Sequence, residues 1–149
     1  MKAVILAAGK GANLAPFSMT RPIPLIRVGR RYLFDNTLDL LKQSGINDVF
    51  VVVGHQKEKL IKQIGEYMNN GLSIHYFEQR GEAGIGDAIL QVKSKILPGE
   101  YFLLIYGDTV TSANIFSKIQ QSFHFFKSAV ASICLPPSNA MFGNVFLNP

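Results

Sequence analysis

Apolar residues fall in short, nearly unbroken runs, separated by stretches in which they recur every three or four positions. The runs are Ala3 to Ala8 (AVILAA), Val49 to Val53 (VFVVV), Tyr101 to Tyr106 (YFLLIY) and Ala129 to Leu135 (AVASICL). None alternates as a half-wetted antiparallel sheet requires, so each predicts a strand of a parallel sheet covered on both faces. A fifth run, Leu72 to Phe77 (LSIHYF), is more mixed and suits a place nearer the sheet edge. Between the runs, Phe34, Leu38 and Leu41 stripe a helix stopped by Gly45, and Leu60, Ile61, Ile64 and Met68 a second ended near Gly71. Ile89, Val92 and Ile96 mark a third before Pro98-Gly99, and Ile115, Ile119, Phe123 and Phe126 a fourth.

Strand and helix in alternation predict an α/β fold: a doubly wound, mostly parallel sheet with right-handed crossovers. Ligands of such sheets bind outside the carboxyl ends of the strands. That rule directs attention to residues 7–16, 78–86 and 107–112. No internal repeat or low-complexity segment interrupts the pattern, and 149 residues suit one domain, 1–149.

Composition narrows the class. Apolar residues make up 48% and charged residues 17%, which fits a globular chain and not a disordered one. The apolar run at the amino terminus stops at Gly9-Lys10, too short for a signal-peptide core, and no stretch reaches the about 18 apolar residues needed to span a bilayer. The single cysteine, Cys134, lies in an apolar run and reads as a buried thiol, so the expectation is a cytoplasmic protein without membrane contact. Net charge is +5, and Arg21, Arg27, Arg30 and Arg31 fall within eleven residues that hold no acid. Such a cluster favours an anionic partner. Without interleaved aromatics it favours a small phosphate ligand over nucleic acid.

Gly9 and Gly11 follow the first run, where glycine lets backbone amides approach anionic oxygens with no Cβ in the way. The spacing excludes two common phosphate loops. A dinucleotide fingerprint needs glycine where Leu14 stands, and no G-x-x-x-x-G-K-[ST] occurs anywhere in the chain. Gln79, with one acceptor and two donors, suits reading the mixed edge of uracil or thymine. Asp108, after Gly107 at a strand end, suits a hard cation shared with phosphates. His55, His75 and His124 have no partner at metal-ligand spacing, and no nucleophile–base arrangement supports covalent catalysis.

The stretch LAAGKGANLAPFSMTRP, followed by PLIRVG, resembles the amino-terminal pattern of the sugar-1-phosphate nucleotidylyltransferases, L-A-A-G-x-G-x-R-L-x-P-x-T-x-x-x-P-K. Leu6, Ala7, Ala8, Gly9, Gly11, Leu14, Pro16 and Pro22 match it. EQRGEAGIGDAI is similar to that family's base-reading segment, through Gln79, Gly84 and Gly86. LLIYGDTV is similar to its Tyr-Gly-Asp strand end, here Tyr106, Gly107 and Asp108. The resemblance implies a Rossmann-like, three-layer α/β/α nucleotidyltransferase fold and transfer of a nucleoside monophosphate from a triphosphate to a sugar 1-phosphate, with release of pyrophosphate. It also implies site roles. Leu6, Ala7, Ala8, Gly9, Lys10 and Gly11 would cradle phosphates, and Gln79, Gly84 and Ile85 would hold a pyrimidine base, with UTP or dTTP favoured. Tyr106 and Gly107 would flank the nucleotide, Asp108 would bind Mg²⁺, and Gly143, in the Phe142 to Val145 run, would meet the acceptor sugar.

Two departures qualify the resemblance. The family's arginine falls on Asn13 and its lysine on Ile23. Phosphoryl-type transfer is mostly positioning and electrostatics, so two lost charge-assisted contacts cost about 3–6 kcal/mol, or about 10²–10⁴ in rate if additive. In an extended segment Arg27 starts about 13 Å from Ile23, whereas Arg21, on the same face and about 6.6 Å away, is the candidate replacement cation. The second departure is length: the chain matches only the front part of the family's catalytic domain, so the sheet is expected to be incomplete at the carboxyl end. An open edge near Val145-Phe146 would then invite a second copy or a partner chain. The alternative to a slowed enzyme is a noncatalytic nucleotide-binding or assembly module.

Overall fold

The apolar runs become the parallel strands of one sheet. A computed structural model describes residues 1–65, 71–81, 83–111 and 115–126. The sheet contains β1 (Lys2–Ala7), β4 (Asp48–Val53), β5 (Ser73–Glu78) and β6 (Phe102–Tyr106) in the order β5-β4-β1-β6. Every pairing is parallel, with Ile5 opposite both Val51 and Ile105. β1 is central, and Ala3, Val4 and Ile5 are fully buried, which explains why its sequence shows no alternation. The mixed run forms β5, at one end of the described sheet as expected.

The connections set the layers. From β1 the chain passes through α2 (Leu33–Gln43) to β4 and through α3 (Lys57–Gly65) to β5, moving in one direction across the sheet. It then returns through α4 (Gly84–Leu90) to β6 on the other side of β1. Right-handed crossovers therefore place α2 and α3 on one face and α4 on the opposite one. Side-chain packing agrees: Ala88 of α4 and Val92 join Val4, Phe50 and Val52 in one buried cluster. Because successive strand residues point to opposite faces, Ala3, Ile5, Val49 and Val51 belong to the other face, to which Phe34, Leu38, Leu41, Leu60 and Ile64 bring buried side chains.

The long excursion between β1 and α2 holds a 3₁₀ turn at Ala12–Leu14, the short helix α1 (Phe17–Thr20), a second 3₁₀ turn at Ile23–Leu25 and a hairpin of β2 (Arg27–Val28) with β3 (Arg31–Tyr32). Gly29, with φ +64°, makes the hairpin turn, and the Arg27 guanidinium lies 4.8 Å from the centre of the Tyr32 ring.

The third helix differs from its expected extent. The stripe Ile89, Val92 and Ile96 predicts one helix, yet α4 ends at Leu90 and a separate 3₁₀ turn occupies Lys93–Lys95. Hydrogen bonding changes here, since the Val92 amide donates to Ile89 three residues back. Val92 and Ile96 still pack on the same sheet face as Ala88, so burial is satisfied without a continuous α-helix.

The chain divides into two compact units, Met1–Asn114 and Ile115–Pro149. In the second, the predicted fourth helix is present as α5 (Ile115–Phe126). The expected strand at Ala129 to Leu135, Met68, Gly143 and the edge at Val145-Phe146 lie outside the described residues. No helix of the described residues is long and apolar enough to cross a membrane.

Candidate functional site

The chain leaves β1 in one direction and reaches β6 from the other, so the carboxyl ends of these neighbours form a crevice of the kind in which doubly wound sheets bind ligands. A cavity of about 360 Å³ opens there. Leu6, Ala7, Ala8 and Gly9 line it from the end of β1, and Tyr106, Gly107 and Asp108 from the end of β6. Gln79, Gly84 and Ile85 close it from beyond β5. Nine residues expected to touch nucleotide, together with the metal candidate Asp108, are thus gathered around one space from three separate strand ends.

Close backbone approach shapes its floor. The Gly107 amide donates to the Leu6 carbonyl at 2.8 Å, and the His55 amide donates to the Ala8 carbonyl at 3.0 Å. A Cβ at Gly107 would lie 2.7 Å from the Leu6 oxygen, and one at Gly54 would lie 2.8 Å from the Ala8 oxygen. Only glycine fits at either position without moving backbone.

Gln79 is the buried polar residue of the site, 9% exposed. Its amide continues the β5 ladder by donating to the Val53 carbonyl at 2.9 Å. Its side-chain Nε2 donates to the Gly84 carbonyl and to Asp87 Oδ2, each at 2.9 Å. Local backbone bonding and cavity lining are therefore combined in one side chain. Asp87 and Ala88, one polarising Gln79 and one walling the cavity, were not legible as site residues: nothing in their spacing marks them before α4 is placed. Gly81 and Pro24 line the cavity as well.

Other expected residues lie elsewhere. Lys10 and Gly11 are not among the lining residues. Arg21 lines a second cleft, together with Phe17 and Arg27. The extended geometry that would set Arg21 beside Ile23 stops at Pro22, because Ile23 opens a 3₁₀ turn and so faces the first cavity while Arg21 does not. Asn13 is exposed. Among the described residues, no lysine or arginine lines the first cavity, and Asp108 is its one charged side chain.

A metal ion can be tested against this donor set. The described residues contain no group of three or more His, Cys, Asp or Glu that could hold one, which rules out an all-protein cage among them. One carboxylate at the rim is nevertheless what Mg²⁺ needs when most of its ligands are water and substrate phosphate, so Asp108 fits.

Over 115 residues the chain is 35% identical to a UTP–glucose-1-phosphate uridylyltransferase, AglF, of Haloferax volcanii, a match covering 77% of this chain and 46% of that protein. Over 59 residues it is 42% identical to a choline-phosphate cytidylyltransferase of Streptococcus pneumoniae, covering 40% of this chain and 26% of that one. A crystal structure of a Bacillus anthracis protein assigned as a glucose-1-phosphate thymidylyltransferase, in complex with sucrose, superposes with a TM-score of 0.75 at 27% identity. That match covers 85% of this chain and 51% of the other. The chain spans about half, or less, of the length of these relatives. The family model described as nucleotidyl transferase matches residues 2–140, and with the parallel sheet and the cavity at the ends of β1, β5 and β6 it establishes that the chain belongs to the nucleotidyl transferase family.

Proposed function

We propose that the chain binds a uracil or thymine nucleoside triphosphate in this cavity and belongs to a slow sugar-1-phosphate nucleotidylyltransferase. The observation that carries the reading is convergence: a glycine loop, an amide suited to a base edge and a rim carboxylate line one cavity while coming from three strand ends. Relatives whose names specify glucose 1-phosphate and a uridylyl or thymidylyl group support the substrate class.

In this reading a phosphate oxygen of the sugar 1-phosphate attacks the α-phosphorus, and the bond from that phosphorus to the oxygen bridging the α- and β-phosphates breaks. Pyrophosphate leaves with the electron pair. The backbone of Leu6 to Gly9 would hold phosphate oxygens, Gln79 would orient the base, and the Asp108 carboxylate would hold Mg²⁺, which would supply charge neutralisation when bound. Arg21, at the second cleft, is the remaining candidate cation for the acceptor phosphate. A second reading, a noncatalytic nucleotide-binding or assembly module, is favoured by one observation: Ile23 presents an apolar side chain to a cavity that no described lysine or arginine lines.

Melting temperature measured with UTP, dTTP, GTP and ATP, with and without Mg²⁺, tests binding. No shift with any of them at millimolar concentration overturns it. Pyrophosphate release with several sugar 1-phosphates then separates the two readings. Turnover by the wild type that is lost in Arg21→Ala supports an enzyme with a relocated cation, whereas turnover only in Asn13→Arg/Ile23→Lys supports the module.

A further inference from the structure

The partners of Gln79 fix which of its polar atoms is available to a ligand. The Gly84 carbonyl and the Asp87 carboxylate accept hydrogen bonds and donate none, so only the NH₂ group of Gln79 can face them. Both of its hydrogens are used there, at 2.9 Å each. Turning the amide over would set Oε1 against two oxygens. Asp87 is itself held, since Gln91 Nε2 lies 3.3 Å from Oδ1 and 3.2 Å from the Asp87 carbonyl. Gln79 is nine-tenths buried and lines the cavity, and its free polar atom is Oε1, an acceptor.

We propose that Asp87 is a positioning residue for base choice: by locking the Gln79 amide it presents a lone acceptor to the cavity and selects bases whose Watson–Crick edge carries a central N–H. Uracil and thymine carry it at N3. Cytosine has a lone pair at that atom and meets Oε1 with repulsion, although it is nearly the same size and shape. The inference rests on the nucleotide-binding reading above and sharpens it, because the relatives named for uridylyl and cytidylyl transfer are both similar to this chain. A site built around one fixed hydrogen bond discriminates against a partner that cannot complete it.

The experiment compares dissociation constants of UTP and CTP, with Mg²⁺, for the wild type, Asp87→Ala and Asp87→Asn. The wild type is expected to prefer UTP by at least about tenfold. Asp87→Ala frees one side of the amide, and Asp87→Asn can meet either amide orientation. Each is expected to narrow the ratio by about tenfold, chiefly because CTP binds more tightly, a gain that damage to the fold does not produce. Asp87→Asn keeps the test available if Asp87→Ala does not fold. A wild type that prefers UTP, with an unchanged ratio in the folded variants, overturns this inference and leaves the nucleotide reading standing. Equal wild-type affinity for UTP and CTP also overturns it, and a wild type that binds neither overturns both.

Discussion

Ile23 occupies the room that a side chain at Gly11 would need: a Cβ added to Gly11 would lie 2.5 Å from Ile23 Cγ1 and nearer still to Cδ1. Gly11 also has φ +66°, a left-handed conformation that glycine alone adopts without cost. Gly11→Ala is therefore expected to destabilise the fold by about 2–3 kcal/mol, from backbone strain and overpacking together. In Ile23→Ala the same change costs only the backbone part. A double-mutant cycle read by denaturant unfolding checks this, with a coupling of about 1 kcal/mol or more expected.

The same contact explains why restoring a cation has a structural consequence. Ile23→Lys gives up packing against Gly11 and brings an ammonium to a cavity that has Asp108 as its only charged described lining residue. Stability should fall by about 1 kcal/mol, while triphosphate affinity rises by about tenfold or more through one charge-assisted contact. Calorimetry with UTP alongside a melting curve separates the two effects.

Asp108 is exposed and lines the cavity. Asp108→Asn should leave unfolding free energy within about 0.5 kcal/mol of the wild type, as surface changes do. It should also abolish most of the gain in nucleotide affinity on adding Mg²⁺, at least about tenfold. Titrations with and without the ion provide the measurement.

An acid-sensitive tie fastens the start of β1. Glu100 accepts a hydrogen bond from the Leu97 amide at 3.0 Å and pairs with Lys2 at 2.9 Å, and these two contacts, the backbone one foremost, hold its carboxyl below the ordinary 4.5. A carboxyl depressed in the folded state adds stability above its unfolded value, and that stability is lost as pH falls through the folded value. Glu100→Gln should thus lower the melting temperature slightly at neutral pH. The gap to the wild type should close as pH falls below about 4.5.

β1 and β4 were legible because burial on both faces leaves a sequence mark that little else imitates, as in VFVVV. The equally unbroken YFLLIY forms β6 at an end of the described sheet with Leu104 and Tyr106 exposed, so its two-sided cover was not borne out among the described residues. The loops at residues 7–16, 78–86 and 107–112 followed from topology alone, and nine of the expected nucleotide-site residues, together with Asp108, line one cavity. Arg21 was harder to place. Proline 22 fixes the extended conformation before it but says nothing of the 3₁₀ turn at Ile23, which sends the two side chains to different clefts. The lock on Gln79 was not legible either, because it requires α4 to bring Asp87, eight residues downstream, to 2.9 Å from the Gln79 side chain.

The two glycines at the tips of β4 and β6 do more than make room. Each faces a carbonyl of the β1 end, Gly54 toward Ala8 and Gly107 toward Leu6, at distances no Cβ tolerates. A slip of either strand by one position would bring Val53 or His55, Tyr106 or Asp108, against those oxygens. Gly54 and Gly107 therefore act as a gauge of strand alignment: β4 and β6 close fully against β1 only in one register, and for β6 that register also sets the Tyr106 to Asp108 wall of the cavity opposite the Leu6 to Gly9 wall.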